Sequence, residues 1–568
     1  MTSSLRFVAL GGIGEIGLNL YLYELDGRWL MVDCGIAFAD DRHPGADIIL
    51  PDIAFIEERK ERLDGIILTH AHEDHLGAVP YLWERLGCPI YCTTFPAAVL
   101  RRKLAEHYVK NPAAIHQVKN GERFTVGPFG CRLIHMTHSI PEASALAIDS
   151  PWGVVMHTGD WKLDPAPMLG EPSDIALLEE IGAEGVLALV ADSTNVLSPG
   201  TSGSEAEVRD SLRDLIAAQP HAVALTTFAS NVARLETAML AAAEAGREIV
   251  VVGRSMHRMI EAAKECGYLK GIPPLRDERD AAGLPRHRTL YLVTGSQGEP
   301  RAAMQRIATG NHQRIRLEAG DTAIFSSKII PGNERTLYSL HNHLVELGVE
   351  VITEEDHFVH VSGHPCRDEM EQMYRWMKPK IAIPVHGEAR HLYAHARFAK
   401  SLGVEQALVV RNGDLVRLGP PPAKVESEVH TGRRVLETDE LLDSGDELYR
   451  SRRRLASHGT VVVGLVLDPY GSVLAAPQLT AIGAIDLSSF GNLEKAAADL
   501  VAEAVEDLQD EDVLDDERVA QAVRGAVRQA LSLPRHKRPI VEVQVTRLSP
   551  SSLASLEDEA GEARVGAA

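Results

Sequence analysis

The chain has 568 residues, 45% of them hydrophobic and 24% charged, an ordinary globular composition too long for one compact core, so about three domains are expected. A formal net charge of −22 argues against a nucleic-acid binder held by overall positive charge, though not against a locally basic groove beside bound cations. The N-terminus lacks a signal-peptide core, no apolar run could span a bilayer, and the six cysteines (34, 88, 92, 131, 266, 366) show no C-x-x-C spacing, which together predict a reduced, cytoplasmic chain without membrane attachment.

The first elements read as strands joined by tight turns. Residues 20–25 and 28–32 flank Asp26-Gly27, a two-residue hairpin signal. Further short apolar runs lie at 66–68, 132–136, 153–156, 186–190 and 380–385. A polar residue follows each of them: His70, His138, Asp160, Asp192 and His386, as Asp33 follows 31–32. Ligand candidates therefore recur at strand ends, where a sheet presents its loops to one edge. From about Ser204 helical patterns at 211–218, 232–245 and 334–348 alternate with buried strands at 222–226, 249–252, 289–293 and 322–325, which predicts a parallel α/β unit. The strand-then-ligand pattern resumes at 380–385, so that unit reads as an insertion. Pro420-Pro421-Pro422 and the polar stretch to about Arg454 read as a linker. A small domain follows, with strands at 460–467 and 540–545 around helices at 493–508 and 518–531, and the Ser/Ala/Gly/Glu-rich end from 549 reads as disordered. The acidic runs 506–512 and 515–517 read as solvated faces.

The stretch Thr69-His70-Ala71-His72-Glu73-Asp74-His75-Leu76-Gly77 carries the chemistry. Three imidazoles and a carboxylate within six positions suit zinc or a similar divalent ion. The backbone between them is too short to wrap around one tetrahedron, so sharing between two neighbouring ions is easier, and that points to a dinuclear hydrolase. His138 and Asp160 are natural further ligands; Asp160 can bridge two ions and His386 can complete the second. Such a site acidifies bound water and clamps both oxygens of an in-line displacement, which phosphodiester cleavage needs. Lactam, thioester and lactone hydrolysis use the same chemistry, so the site alone leaves the substrate open. Cys88 and Cys92 flank a strand-like Pro-Ile-Tyr and read as buried thiols.

His70-x-His72-x-Asp74-His75, followed by His138 and Asp160, resembles the metallo-β-lactamase signature, in which Asp33 would support the metal-site loop. Asp192 in Ala-Asp-Ser-Thr-Asn, His364 in His360-Val361-Ser362-Gly363-His364 and His386 in Pro-Val-His-Gly-Glu resemble the three further motifs of the β-CASP nucleases. A histidine at the third of these goes with RNA-processing members. Gly11-Gly12-Ile13-Gly14-Glu15-Ile16-Gly17, Thr227-Phe228-Ala229-Ser230-Asn231, Thr294-Gly295-Ser296-Gln297-Gly298-Glu299-Pro300 and Ile330-Pro331-Gly332-Asn333-Glu334 are similar to the bacterial ribonuclease J group. That likeness is looser in the C-terminal region, where residues 480–484 depart from an expected arginine-glycine turn.

The resemblance implies an α/β fold: a metallo-β-lactamase αββα sandwich (1–205 and 369–420) with an inserted β-CASP α/β domain (206–368), a linker (421–454), a small C-terminal α+β domain (455–548) and a disordered tail (549–568). It implies two Zn2+ per chain, with Mn2+ or Mg2+ as alternative working ions, on His70, His72, Asp74, His75, His138, Asp160 and His386. Asp74, Asp192 and His364 are the implied catalytic residues. Ser230, Asn231, His360, Val361, Ser362, Gly363 and His364 are the candidates for holding substrate. Asn231 and Ser230 also read as a helix N-cap, a role compatible with an anion at the same helix end. The implied activity is 5′-to-3′ exonucleolytic and endonucleolytic cleavage of single-stranded RNA by a metal-activated hydroxide, in rRNA maturation and mRNA decay. A preference for 5′-monophosphate ends, a homodimer or homotetramer, and protein partners in RNA decay are implied with it. The alternatives are a small-molecule metallo-hydrolase of the glyoxalase or lactonase type, against which the large insertion argues, and an RNA-binding scaffold with a degenerate site, against which the filled ligand positions argue.

Overall fold

The computed structural model describes residues 4–109, 114–330, 332–484, 493–509, 511–535, 539–549 and 552. It divides into two compact units, one formed by 1–38 and 48–434 and the other by 39–47 and 435–568.

Alternation of apolar side chains builds the first unit's layers. An eight-stranded sheet runs in the order Lys424–Glu428, Asp414–Gly419, Leu5–Gly11, Leu20–Leu25, Arg28–Val32, Leu63–Ile67, Ile90–Cys92 and Ile115–Gln117. A seven-stranded sheet runs Arg123–Val126, Phe129–His135, Ser144–Ile148, Val154–His157, Val186–Asp192, Ile381–Val385 and Gln406–Ala407. Successive strand residues face opposite sides. Leu133, Leu146, Val155 and Val190 of the second sheet therefore meet Phe7, Tyr23, Leu30 and Ile67 of the first in one shared core. Their neighbours Ile134, Ala145, Met156 and Leu189 turn outward onto Leu178, Met373, Tyr374 and Ala399 of the covering helices Ile175–Glu184, Arg367–Met377 and Ala389–Ser401. The expected αββα layering is present.

Strand direction places the ligand candidates. Val154–His157, Val186–Asp192 and Ile381–Val385 are parallel and nearly in step, with Asp192 opposite Val385. Phe129–His135 reaches the same direction through two antiparallel steps. In the other sheet Arg28–Val32 and Leu63–Ile67 are parallel, with Val32 opposite Ile67. The loops carrying Asp33, His70, His138, Asp160, Asp192 and His386 thus leave C-terminal strand ends. At that edge Ser144 N donates to Thr69 O at 3.0 Å, joining the two sheets. The hairpin at Asp26-Gly27 forms with φ of 52° and 79°.

Between Glu205 and Ile352 the chain forms a six-stranded parallel sheet in the order Leu275–Arg276, Glu248–Val252, Thr289–Val293, Val223–Thr226, Thr322–Phe325 and Glu350–Ile352. Helices Glu205–Ala218, Val232–Glu244, Arg254–Glu265 and Glu334–Glu346 connect it. Helix Glu205–Ala218 opens on a capping box between Ser204 and Glu207.

In the second unit Thr460–Leu467 pairs antiparallel with Gln478–Ile482 and parallel with Ile540–Arg547. Val461, Val463, Leu465 and Leu467 alternate onto Val501, Val505, Val523 and Val527 of helices Leu493–Glu506 and Asp516–Arg535. The span expected to be a linker is instead ordered: it holds strands Lys424–Glu428, Arg433–Glu437 and Glu440–Asp443 and helix Glu447–His458. Lys424–Glu428 is a fully exposed edge strand, and the helix buries only Tyr449. Neither has an apolar face to read in the sequence. The expected disordered tail lies outside the described residues, Ser549 and Ser552 apart. All six cysteines are free, with Cys88 and Cys92 buried and each pushed up to about 12 by that burial.

Candidate metal centre

The histidine-rich motif is split by a helix start. His72 is extended (φ −69°, ψ 152°) and immediately precedes the short helix Glu73–Leu76, so His70 and His72 project from the loop while Asp74 and His75 project from the helix. Three backbone donors fix that turn: Ile36 N to Glu73 O at 3.0 Å, Asn19 N to Asp74 O at 3.0 Å, and Cys34 N to His75 O at 2.6 Å.

Three groups of ligand atoms converge, each within 4.8 Å: His70, His72, His138 and Asp160; Asp74, His75, Asp160 and His386; and Asp160, Asp192 and His364. Asp160 is common to all three and is 3% exposed, and its Oδ1 lies 3.0 Å from His386 Nδ1 without the geometry of a hydrogen bond. Its Oδ2 lies 3.3 Å from His75 Nε2 and 3.9 Å from both His70 Nε2 and His138 Nε2. Asp74 Oδ2 is 3.6 Å from His75 Nε2 and 3.7 Å from His386 Nε2.

Hydrogen bonds on the far nitrogens decide which atoms face inward. His75 Nδ1 donates to Asp33 Oδ2 at 2.7 Å, and His138 Nδ1 donates to Gly363 O at 2.5 Å. Thr69 Oγ1 donates to Asp33 at 2.8 Å and so accepts from His70 Nδ1 at 3.0 Å. His70 and His138 therefore turn a bare Nε2 toward the centre, and His75 turns its Nε2 toward Asp160. His70 Nε2 and His138 Nε2 lie 3.0 and 3.1 Å from His72 Nδ1. One proton bridges a single pair of such lone pairs; a cation satisfies all three. A tetrahedral zinc with bonds of about 2.0–2.1 Å separates its ligands by about 3.3 Å, so the donor set fits divalent metal.

The acid–base balance is divided in the same way. Burial pushes His70 and His138 well below the usual imidazole range and His72 down to about 3, leaving neutral ligands. Burial also opposes charge on His75, His386 and His364, but neighbouring carboxylates override it: Asp160 raises His75 and His386, and Asp192 with Asp160 raises His364 to about 9. Burial disfavours charge on Asp160, yet His386 and His75 hold its carboxyl well below the usual range. The carboxylates of Asp160 and Asp74 beside His75 and His386 thus favour positive charge in the second half of the centre.

His364 Nδ1 donates to Asp192 Oδ2 at 2.8 Å. Asp192 is oriented in turn by Thr194, whose N and Oγ1 donate to Oδ1 at 2.8 and 2.7 Å. Asn195 Nδ2 donates to Ser362 Oγ at 2.7 Å and His364 O at 3.0 Å. Gly363 packs so tightly that an added Cβ would lie 2.8 Å from His138 Cε1. Asn231 caps helix Val232–Glu244, accepting from Arg234 N at 3.0 Å. His360 is partly buried and has an unpartnered Nδ1; burial and then Arg234, Lys328 and Lys162 lower its pKa. Val361 is 5% exposed and contributes backbone and packing.

Comparison with known proteins places the chain in a family. The family described as "Metallo-beta-lactamase superfamily" matches residues 13–225. "Ribonuclease J, beta-CASP domain" matches 220–344, "Zn-dependent metallo-hydrolase RNA specificity domain" matches 348–409, and "Ribonuclease J C-terminal domain" matches 448–548. The chain is 43% identical over 551 residues to "Ribonuclease J" of Sinorhizobium meliloti, covering 96% of this chain and 97% of that one. It belongs to the ribonuclease J family. "Ribonuclease J" of Corynebacterium glutamicum is 36% identical, covering 98% of this chain and 78% of that one, and "Ribonuclease J2" of Bacillus subtilis is 31% identical, covering 95% and 98%. A crystal structure of a protein of unknown function from Enterococcus faecalis V583 covers 73% of this chain and all of that one, with a TM-score of 0.52 at 15% identity, and shares the fold.

Against this family background, several contributors to the site carry no sequence signal of their own. Thr69, Thr194, Asn195 and Arg234 act through hydrogen bonds that reach Asp33, His386 O, Ser362 with His364 O, and Glu205 with Ser326 and Val359 O respectively, all distant in the chain. Arg234 is fully buried, pairs with Glu205 at 2.9 Å and donates to Val359 O at 2.9 Å, tying its helix to the 360–364 loop. No helix among the described residues is long and apolar enough to cross a membrane.

Proposed function

We propose that this chain is a metal-dependent ribonuclease that hydrolyses RNA phosphodiesters, working 5′ to 3′ as an exonuclease and also as an endonuclease. The observation that carries this reading is the convergence of three ligand groups on the buried carboxylate of Asp160. His70, His72, His138 and Asp160 would hold one ion; Asp74, His75, His386 and Asp160 would hold the other. Bound there, a pair of divalent cations supplies acidified water and positive charge opposite the reacting phosphate oxygens.

The chain's own groups do the rest. Asp33 and Gly363 O hold imidazole tautomers that present lone pairs inward. Asp192 accepts a hydrogen bond from His364 Nδ1 and favours the charged ring, which leaves the Nε2 proton to be donated to an oxygen of the pentavalent state or to the departing 3′-oxygen. Ser362 Oγ accepts from both Asn195 Nδ2 and His364 N, so its own proton is free to meet a phosphate oxygen. With the N-terminus of helix Val232–Glu244 at Ser230 and Asn231, and with His360, this loop suits a 5′-monophosphate.

Zinc is the proposed resident ion, on the strength of the imidazole-rich donor set, with manganese or magnesium as working alternatives. We further propose 206–368 as an insertion between 1–205 and 369–420, a C-terminal domain at 455–548, a homodimer or homotetramer, and a cytoplasmic setting. The small-molecule hydrolase reading is not favoured, since the matched families include an RNA specificity domain. The test offers the zinc-loaded chain a 5′-monophosphorylated oligoribonucleotide, its triphosphorylated twin and a thioester. Mononucleotides released fastest from the monophosphate are expected; turnover of the thioester with intact RNA would overturn the reading.

A further inference from the structure

Asn19 is wholly buried, and its side chain meets both helix-borne ligands of the second half-site. Asn19 Nδ2 donates to Asp74 O at 3.0 Å, and lies 3.0 Å from His75 Nε2 and 3.4 Å from Asp74 Oδ2. The amide's orientation is set from behind: the Tyr21 hydroxyl donates to Asn19 Oδ1 at 2.7 Å. A flipped amide would set oxygen against the Asp74 carbonyl, so only one orientation satisfies both neighbours. The same Tyr21 hydroxyl lies 3.4 Å from Gly12 O, and that carbonyl accepts from His386 N at 2.8 Å. Gly12, at φ 85°, leaves the room: a Cβ there would lie 2.4 Å from the Tyr21 hydroxyl and 2.5 Å from Asn19 Oδ1.

A Tyr21–Asn19–Gly12 bridge therefore touches Asp74, His75 and His386, which come from remote parts of the chain. The groups that orient the other half, namely Gly363 O on His138 and Thr69 on His70, lie outside this bridge. We propose that Asn19, oriented by Tyr21, is a positioning residue for the Asp74–His75–His386 half of the centre and not for the His70–His72–His138 half. The inference rests on the two-ion reading above. Hydrogen-bonding partners behind metal ligands typically change metal affinity about 10–100-fold when removed.

The test measures zinc affinity by chelator competition in wild type, Asn19→Ala and Tyr21→Phe. The last of these deletes only a hydroxyl and keeps the ring in the core. Each substitution is also placed in His138→Ala and His386→Ala chains, which retain chiefly the second or the first half respectively. In the His138→Ala chain Tyr21→Phe should lower the remaining ion's affinity about tenfold; in the His386→Ala chain it should leave that affinity unchanged. Equal loss in both backgrounds, loss confined to the His386→Ala chain, or no loss in either overturns the inference. Wild type holding fewer than two ions would overturn the two-ion reading itself, and this inference with it.

Discussion

His364 and Asp192 separate two jobs that a metal centre can confuse, holding ions and assisting the leaving oxygen. His364 bonds Asp192 at 2.8 Å, while Asp160, the carboxylate shared by the two four-residue ligand groups, is 3.9 Å away. His364→Ala should therefore lower cleavage about 10²–10³-fold while zinc per chain stays at the wild-type level, as read by elemental analysis beside single-turnover assays. His72→Ala should instead lose metal and abolish cleavage with the fold kept. A histidine away from these two contributes to acid stability. His395 is 1% exposed, bonded to Ser193 Oγ and Tyr374 Oη at 2.9 Å each, and burial lowers it to about 4. The unfolded chain, with a value near 6.5, binds the extra proton between those two values. This residue's contribution is therefore whole above about pH 6.5 and falls away as pH drops toward 4, by about 3 kcal/mol. A urea-unfolding series from pH 7 to 4 should show a shallower decline for His395→Gln than for wild type.

Among the elements, those with a buried face were the legible ones. The hairpin at Asp26-Gly27, the strand ends before His70, Asp160 and His386, and the strand Thr460–Leu467 all announce themselves by alternation or turn chemistry. Edge strand Lys424–Glu428 and helix Glu447–His458 did not, because exposure leaves them polar throughout or nearly so. The ligand set was readable as residue types after strands. Its orientation was not, since Gly363 O, Asp33 and Asn19 reach it by tertiary contact alone. The clearest element-scale prediction concerns Arg234, which is 0% exposed against Glu205 at 3%. Arg234→Met strands a buried carboxylate and should cost about 3–5 kcal/mol, with Arg234→Met/Glu205→Leu restoring much of it. Thermal unfolding of the two variants checks this; equal losses would show that packing, and not charge, dominates there.

Across the whole molecule, an acidic chain of net charge −22 is proposed to act on a polyanion. The apparent conflict resolves if the positive charge is local and metallic, gathered where strands of two sheets end. Removing the ions with EDTA should then stop RNA cleavage and leave the secondary structure intact, with activity returning on addition of zinc or manganese. That central claim is tested most directly by an anomalous-difference map from crystals of the zinc-loaded protein. The account predicts two peaks flanking the Asp160 carboxylate, one beside His70, His72 and His138 and the other beside Asp74, His75 and His386. Density at neither place, with zinc bound elsewhere on the chain, would contradict it.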